Sequence, residues 1–262
     1  MLWSKMMRKR TPAPGTRSTF RPQFVRIDLS PRLRTGRFTA TLIALLVISA
    51  SSRGSAQTSP SAVPRSVVVI DAAHGGDDAG ARLGTQAEKD FTLALSVKLR
   101  SLLTARGFSV VTTRESDATN DAGRRAETAN HANALACLSL HAAETGSGVH
   151  LFVSSLPPAE AARFVAWKTA QAAWVDKSLS LAGVLNSALT HGGLHITLGR
   201  TSMPAIDSMA CPAVAVEIAP DLGASSNSAS GLSNPLYQSR IAEALAAALV
   251  EWREEFKKGG EP

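Results

Sequence analysis

Aromatic residues are scarce in this chain. Phe, Trp and Tyr make up 5% of its 262 residues, so Ala, Leu and Val must fill the interior. A membrane-length apolar run is also missing. The run at residues 38–50 (FTATLIALLVISA) is shorter than the ~20 residues a spanning helix needs, but it suits the ~7–15 of a signal-peptide core. There are only two cysteines, Cys137 and Cys211, too few to build a metal site of their own. No cysteine follows the apolar run directly, which argues against a lipoprotein anchor. Each cysteine lies inside an apolar, strand-like run, where buried free thiols are common, so free thiols are the expectation; an exported chain could instead pair them.

Acidic residues are nearly absent from the first 56 positions. That stretch holds 11 of the 28 Lys and Arg but a single acid, Asp28, leaving 17 basic against 20 acidic residues and a net charge of −3 in residues 57–262. The formal charge of +7 therefore belongs to the N-terminal segment, and the remainder lacks the basic surface of a nucleic-acid binder. Arg32, Arg34 and Arg37 precede the apolar run, and small residues Gly54-Ser55-Ala56 follow it. Residues 1–56 thus read as a signal peptide with an extended basic n-region, an uncleaved anchor being the alternative. A Ser/Pro/Ala-rich linker follows at 57–65, then one folded domain at 66–257 and a short tail at 258–262. Export to the periplasm or cell-wall space is the expected localisation, with membrane contact through the signal segment alone.

Within the domain, short apolar, strand-like runs alternate with helical patterns. Strands are expected at 66–71, 108–113, 135–141, 148–154 and 212–219. Phe91, Leu95, Leu99 and Leu102 recur at helical spacing until Gly107 stops that helix. Further helices are expected at 121–133, 158–175, 178–190 and 236–256, and a Gly-Gly loop at 191–200. The alternation gives an α/β fold: a single domain with a mainly parallel twisted sheet of about six strands and helices on both faces.

Ligands of such sheets collect at the carboxyl ends of the strands. The first strand ends at Asp71 and delivers His74 into a Gly-rich loop. The third ends at His141, and the 212–219 strand carries Glu217. Glu88 closes the Gly-rich loop and could fold back to the same edge. Two imidazoles and one carboxylate leave a zinc position open to water, as in catalytic zinc sites, and a second carboxylate would then be free to take a proton. Taken singly, each residue has a structural reading: a loop histidine, a helix-start carboxylate, a core histidine, a glutamate paired with Arg125. Their joint placement on one sheet edge carries the case. His131, on a helix, and His150, inside a strand, are not expected at that edge. His191 and His195 lie in the Gly-Gly loop and are not expected to bind metal.

At these residues the sequence resembles the zinc-dependent N-acetylmuramoyl-L-alanine amidases of the cell-wall hydrolase type. The family's opening pattern I-D-x-G-H-G-G-x-D-x-G-A is met by residues 70–81, IDAAHGGDDAGA. Its Glu-Lys pair before a long helix is met by Glu88-Lys89, its R-x-x-x-A-N by residues 125–130, and its S-I-H strand end by Ser139-Leu140-His141. Its late P-A-V-L-V-E is met by residues 212–217, and the entry to its last helix by Tyr237-Gln238 and Ile241-Ala242. The chain departs from the pattern at Ala73, at Ala143 and at residues 218–221, which replace a G-F-L-S-N.

The resemblance implies one zinc ion bound by His74, Glu88 and His141, with Glu217 catalytic. It also implies hydrolysis of the amide between N-acetylmuramic acid and L-alanine in peptidoglycan, with room for an activator protein. Two rival readings remain open. One is a zinc peptidase cutting the stem peptide. The other, supported by Ala143 and the 218–221 change, is a non-catalytic wall-binding or regulatory protein on the same fold.

Overall fold

The computed structural model describes residues 66–159, 166–221 and 228–258. The expected signal segment and linker, and all but the first residue of the tail, lie outside the described residues. In chain order the elements begin with β1 (Val67–Ala72), a small hairpin of β2 (Arg82–Leu83) and β3 (Gln86–Ala87), α1 (Glu88–Ala105) and β4 (Ser109–Thr112). Next come α2 (Ala122–His131), β5 (Ala136–Ala142), β6 (Val149–Ser154), a 3₁₀ segment (Trp167–Ala173) and α3 (Val175–His191). The remainder is β7 (Ile196–Thr201), α4 (Pro204–Asp207), β8 (Ala213–Ile218), α5 (Ser228–Ser233) and α6 (Pro235–Lys258).

Six strands form one sheet in the order β4-β1-β5-β8-β6-β7. β4, β1, β5 and β8 run parallel; β6 is antiparallel to β8 and carries β7 alongside in its own direction. The expected fold class is therefore present, and the reversal of β6 and β7 gives the sheet its mixed character. Helices cover both faces. Val68, Ile70, Leu138, Leu140, Val214 and Val216 pack with α1, α3 and α6 in the larger core cluster. Val69, Cys137, Ala213 and Ala215 share the smaller one with α2 and α4. Successive strand residues point to opposite faces, so each central strand must be apolar on both sides, which is why these strands read as continuous apolar runs.

Most local expectations hold within a residue or two, and their causes are visible. α1 buries Phe91, Leu95, Leu99 and Leu103 one turn apart, with Leu102 only partly buried. α2 opens on Asp121, whose side chain accepts the Arg124 backbone N–H at 2.9 Å, a typical N-cap. Three expectations change. The Gly-Gly loop at 191–200 gives way to β7 from Ile196. This edge strand is paired on one side only and largely solvent-facing, so it never shows the apolar signature of a central strand. The helix expected at 158–175 is a 3₁₀ segment over Trp167–Ala173, with residues 160–165 outside the described set.

The third change concerns the cysteines. Cys137 and Cys211 are not free: they form a buried disulfide with Cα atoms 6.3 Å apart. β5 and β8 are neighbours in the sheet and Cys137 stands opposite Ala213, so Cys211, two residues before the strand, lies beside it. That adjacency joins positions 74 residues apart, and neither local run contains it.

Candidate metal and catalytic site

The first loop is built for close approach. After β1 the backbone turns through His74 with φ 63°, Gly75 with φ 135° and Gly76 with φ 58°. A non-glycine residue in the left-handed region is uncommon and costs about 1–3 kcal/mol, so the surroundings must hold His74 there. They do so from several sides. The buried Arg114 guanidinium donates to the carbonyls of Ala72, Ala73 and Lys89 beneath the loop. Lys89 Nζ ties the Gly76 carbonyl at 2.8 Å and the Asp117 carboxylate at 2.7 Å. Gly80 has to be glycine: a Cβ there would lie 2.7 Å from both Glu88 Oε2 and His74 Cδ2.

His74, Glu88 and His141 converge. One ligating atom from each lies within 4.8 Å of the others. His74 Nε2 is 3.1 Å from Glu88 Oε2, and His141 Nδ1 is 3.1 Å from Glu88 Oε1. The two imidazole rings meet edge to face with centroids 5.5 Å apart. Glu88, the first residue of α1, is almost fully buried and accepts the backbone N–H groups of Ala81 at 2.8 Å and Ala142 at 3.0 Å. Burial alone would raise its carboxyl. The two histidines and these two amides outweigh that and hold it well below the ordinary carboxylate range. His74 is pushed up, chiefly by its contact with Glu88 against the opposing effect of burial, with Asp78 adding to the rise.

Each of the four ring nitrogens has a hydrogen-bond partner. A carboxylate only accepts, so the 2.8 Å contact of His74 Nδ1 with Asp78 Oδ2 takes an N–H, and Nε2 likewise reaches Glu88 Oε2 as an N–H donor, the doubly protonated form that its upward shift favours. Ser139 Oγ donates to Asp71 Oδ2 at 2.6 Å and receives Arg125 Nη2 at 3.1 Å, so its contact with His141 Nε2 at 3.3 Å is also a received N–H. The Nδ1 of His141 can approach the Glu88 carboxylate only with an N–H of its own. A divalent cation such as zinc bound among these groups would displace the two inner protons and take two imidazole nitrogens and a carboxylate as ligands, with the outer nitrogens held by Asp78 and Ser139.

Asp71 anchors that support. It is fully buried and receives Arg125 Nε and Thr113 Oγ1 at 2.8 Å each, besides Ser139. Burial would raise its carboxyl, but the Arg125 charge and these bonds hold it below its usual value. Arg125 therefore pairs with Asp71, and the pairing with Glu217 weighed from the sequence does not form. Sequence reading noted Asp71 and missed its role, and it missed Asp78 altogether, although both stand in the matched 70–81 motif.

Glu217 occupies the same sheet edge by register. It pairs with His141 on β5 and with His150 on β6, so His141, Glu217 and His150 form one row across three strands on the α2 and α4 face. His150 Nδ1 lies 3.1 Å from Glu217 Oε1. The sequence expectation set His150 aside as interior to its strand. Because β6 runs antiparallel to β8, its N-terminal end meets the carboxyl ends of β5 and β8, and the second residue of β6 reaches the site. His131, His191 and His195 take no part in the metal-competent group.

The N-acetylmuramoyl-L-alanine amidase family model matches residues 68–251, most of the chain and all of the sheet except Val67. The chain is 40% identical over 83 residues to the endolysin of Bacillus phage SPP1, covering 31% of each. It is 33% identical over 89 residues to the germination-specific N-acetylmuramoyl-L-alanine amidase of Bacillus subtilis strain 168, covering 29% of this chain and 38% of that protein. These matches span about a third of the length of either curated relative. The structure of the catalytic domain of the N-acetylmuramoyl-L-alanine amidase CwlV, from Bacillus (Paenibacillus) polymyxa var. colistinus, superposes with a TM-score of 0.57 at 25% identity, covering 72% of this chain and 98% of that one. With its fold, its His/Glu/His group and a family match over residues 68–251, this chain belongs to the N-acetylmuramoyl-L-alanine amidase family.

Proposed function

We propose that the protein is an exported zinc hydrolase of peptidoglycan that cuts the amide between the lactyl group of N-acetylmuramic acid and the L-alanine of the stem peptide. The observation that carries this reading is the meeting of His74, Glu88 and His141 with their ligating atoms within 4.8 Å, and of Glu217 in register with His141. His74 through Nε2, His141 through Nδ1 and Glu88 through its carboxylate would hold one zinc ion. When bound there, zinc supplies Lewis-acid polarisation of the scissile carbonyl and a lowered pKa for the attacking water.

The chain's own residues do the rest. With the cation bound, Asp78 and Ser139 would hold the outer nitrogens of the two imidazoles and so leave the inner nitrogens to ligate it. Glu217, half-buried at the edge, takes the proton of the attacking water and returns it to the departing alanine amine, the ordinary work of a positioned carboxylate. The product pair is a free lactyl acid and a free L-alanine amine, which separates this reaction from cleavage inside the stem peptide. The disulfide supports an oxidising compartment such as the periplasm or cell-wall space, with residues 1–56 as the export segment and 66–257 as the catalytic domain. No helix among the described residues is long and apolar enough to cross a membrane.

The test is zinc stoichiometry together with product analysis on purified muropeptides. Glu217→Gln is expected to keep zinc and lose about 10²–10⁴-fold in kcat, and His74→Ala to lose both metal and turnover. Undiminished turnover in Glu217→Gln removes Glu217 from the proton-transfer role. Zinc-replete protein that releases no alanine amine turns the reading toward a wall-binding protein.

A further inference from the structure

His150 is the polar side chain at this edge that the proposed chemistry leaves unused. Its ring is clamped. Nε2 sits 3.3 Å from the Ser147 carbonyl, and the Phe152 ring stands edge-on to it with centroids 6.4 Å apart. The loop before β6 closes over it: a Cβ on Gly146, which has φ 98°, would lie 3.0 Å from His150 Cε1. Held on three sides, the ring offers Nδ1 to one partner, Glu217 Oε1 at 3.1 Å. The other carboxylate oxygen, Oε2, has no hydrogen-bond partner among the described residues. A carboxylate on a flexible side chain at a half-exposed edge otherwise samples several rotamers, and one fixed oxygen removes most of that freedom.

We propose that His150 is a positioning residue for Glu217: its Nδ1 holds Oε1 so that Oε2 is kept free and oriented for proton transfer in the row His141, Glu217, His150. The proposal rests on the reading of Glu217 as the proton-transferring group. It explains why a histidine inside a strand carries a loop, an aromatic edge and a backbone carbonyl arranged around its ring. A histidine that merely filled space would need none of the Nδ1 geometry.

Two substitutions separate these roles by position on the ring. His150→Asn places an amide nitrogen where Nδ1 stands, and His150→Gln places one near Nε2. Both are polar and suit a half-buried strand position. Kinetics on purified muropeptides, zinc content and thermal midpoint are measured for both, with Glu217→Gln alongside. The expected result is that His150→Gln loses about 10–100-fold in kcat with KM within about two-fold, while His150→Asn stays within about five-fold of the parent. Zinc content is expected to be the same in all. Equal kcat in the Asn and Gln variants, or zinc loss tracking the kcat loss, overturns the proposal. If Glu217→Gln is inactive while His150→Gln turns over like the parent, the positioning role alone fails. If Glu217→Gln turns over like the parent, the underlying assignment of Glu217 fails first.

Discussion

The two faces of the one sheet are built from different materials. The face toward α1, α3 and α6 is closed mainly with Val, Ile and Leu, and the residues of β1, β5, β8 and β6 on it are buried and apolar. The face toward α2 and α4 is closed with Ala, a disulfide and a few larger side chains, and near the carboxyl ends of β1, β5 and β8 it turns polar: Asp71, Ser139, His141, Glu217 and, from β6, His150. Because strand side chains alternate, each central strand serves both faces at once. Ile70 and Leu140 go to the apolar core while Asp71 and His141 go to the site. Buried charge is costly unless it is paired and hydrogen-bonded, and on the site face every such group has its partners. The lesson is a division of labour in which one face supplies most of the hydrophobic stability and the other holds the site's polar network.

That division can be broken from either side. The largest effect is expected on the site face. Arg125→Met removes the cation beside the fully buried Asp71 and should cost about 3–5 kcal/mol. It should also weaken metal binding by about 10–100-fold, since Ser139 and His141 lose their anchor. Urea unfolding and zinc competition measure the two losses, and stability lost without metal affinity would detach Asp71 from the site. Leu138→Ala on the opposite face should cost about 2–5 kcal/mol through the cavity it leaves. Zinc affinity and kcat per folded molecule should then be unchanged, and a shift in either would show that the faces are coupled. The smallest expected effect belongs to the disulfide. Replacing Cys137 and Cys211 together by Ala should lower stability by about 2–4 kcal/mol, because the bridge closes a long loop, while leaving the site's kinetics alone. A thermal melt with and without reductant checks this.

Much of the architecture and part of the site were legible in the linear chain. Short apolar runs marked the four parallel strands and β6, and helical spacing marked α1. His74, Glu88, His141 and Glu217 stood out because each falls at a strand end or a helix start where a solvated loop begins. The illegible parts depend on neighbours brought together by the fold. β7 is a half-exposed edge strand without an apolar signature. The disulfide and the Asp71–Arg125 pair join positions distant along the chain. His150 was set aside as interior to its strand, but β6 runs antiparallel to β8, so the start of β6 meets the site edge.

The sequence by itself therefore determined most of the segments that become strands and helices and which residues have the chemistry to bind a divalent cation. Those properties depend on the side-chain period and on donor type, and both are local. Tertiary structure alone decided the order and direction of the strands, and with them which cysteines pair, which carboxylate Arg125 meets and which histidine stands beside Glu217. Those are contacts between residues far apart in the chain, set by how the whole sheet packs.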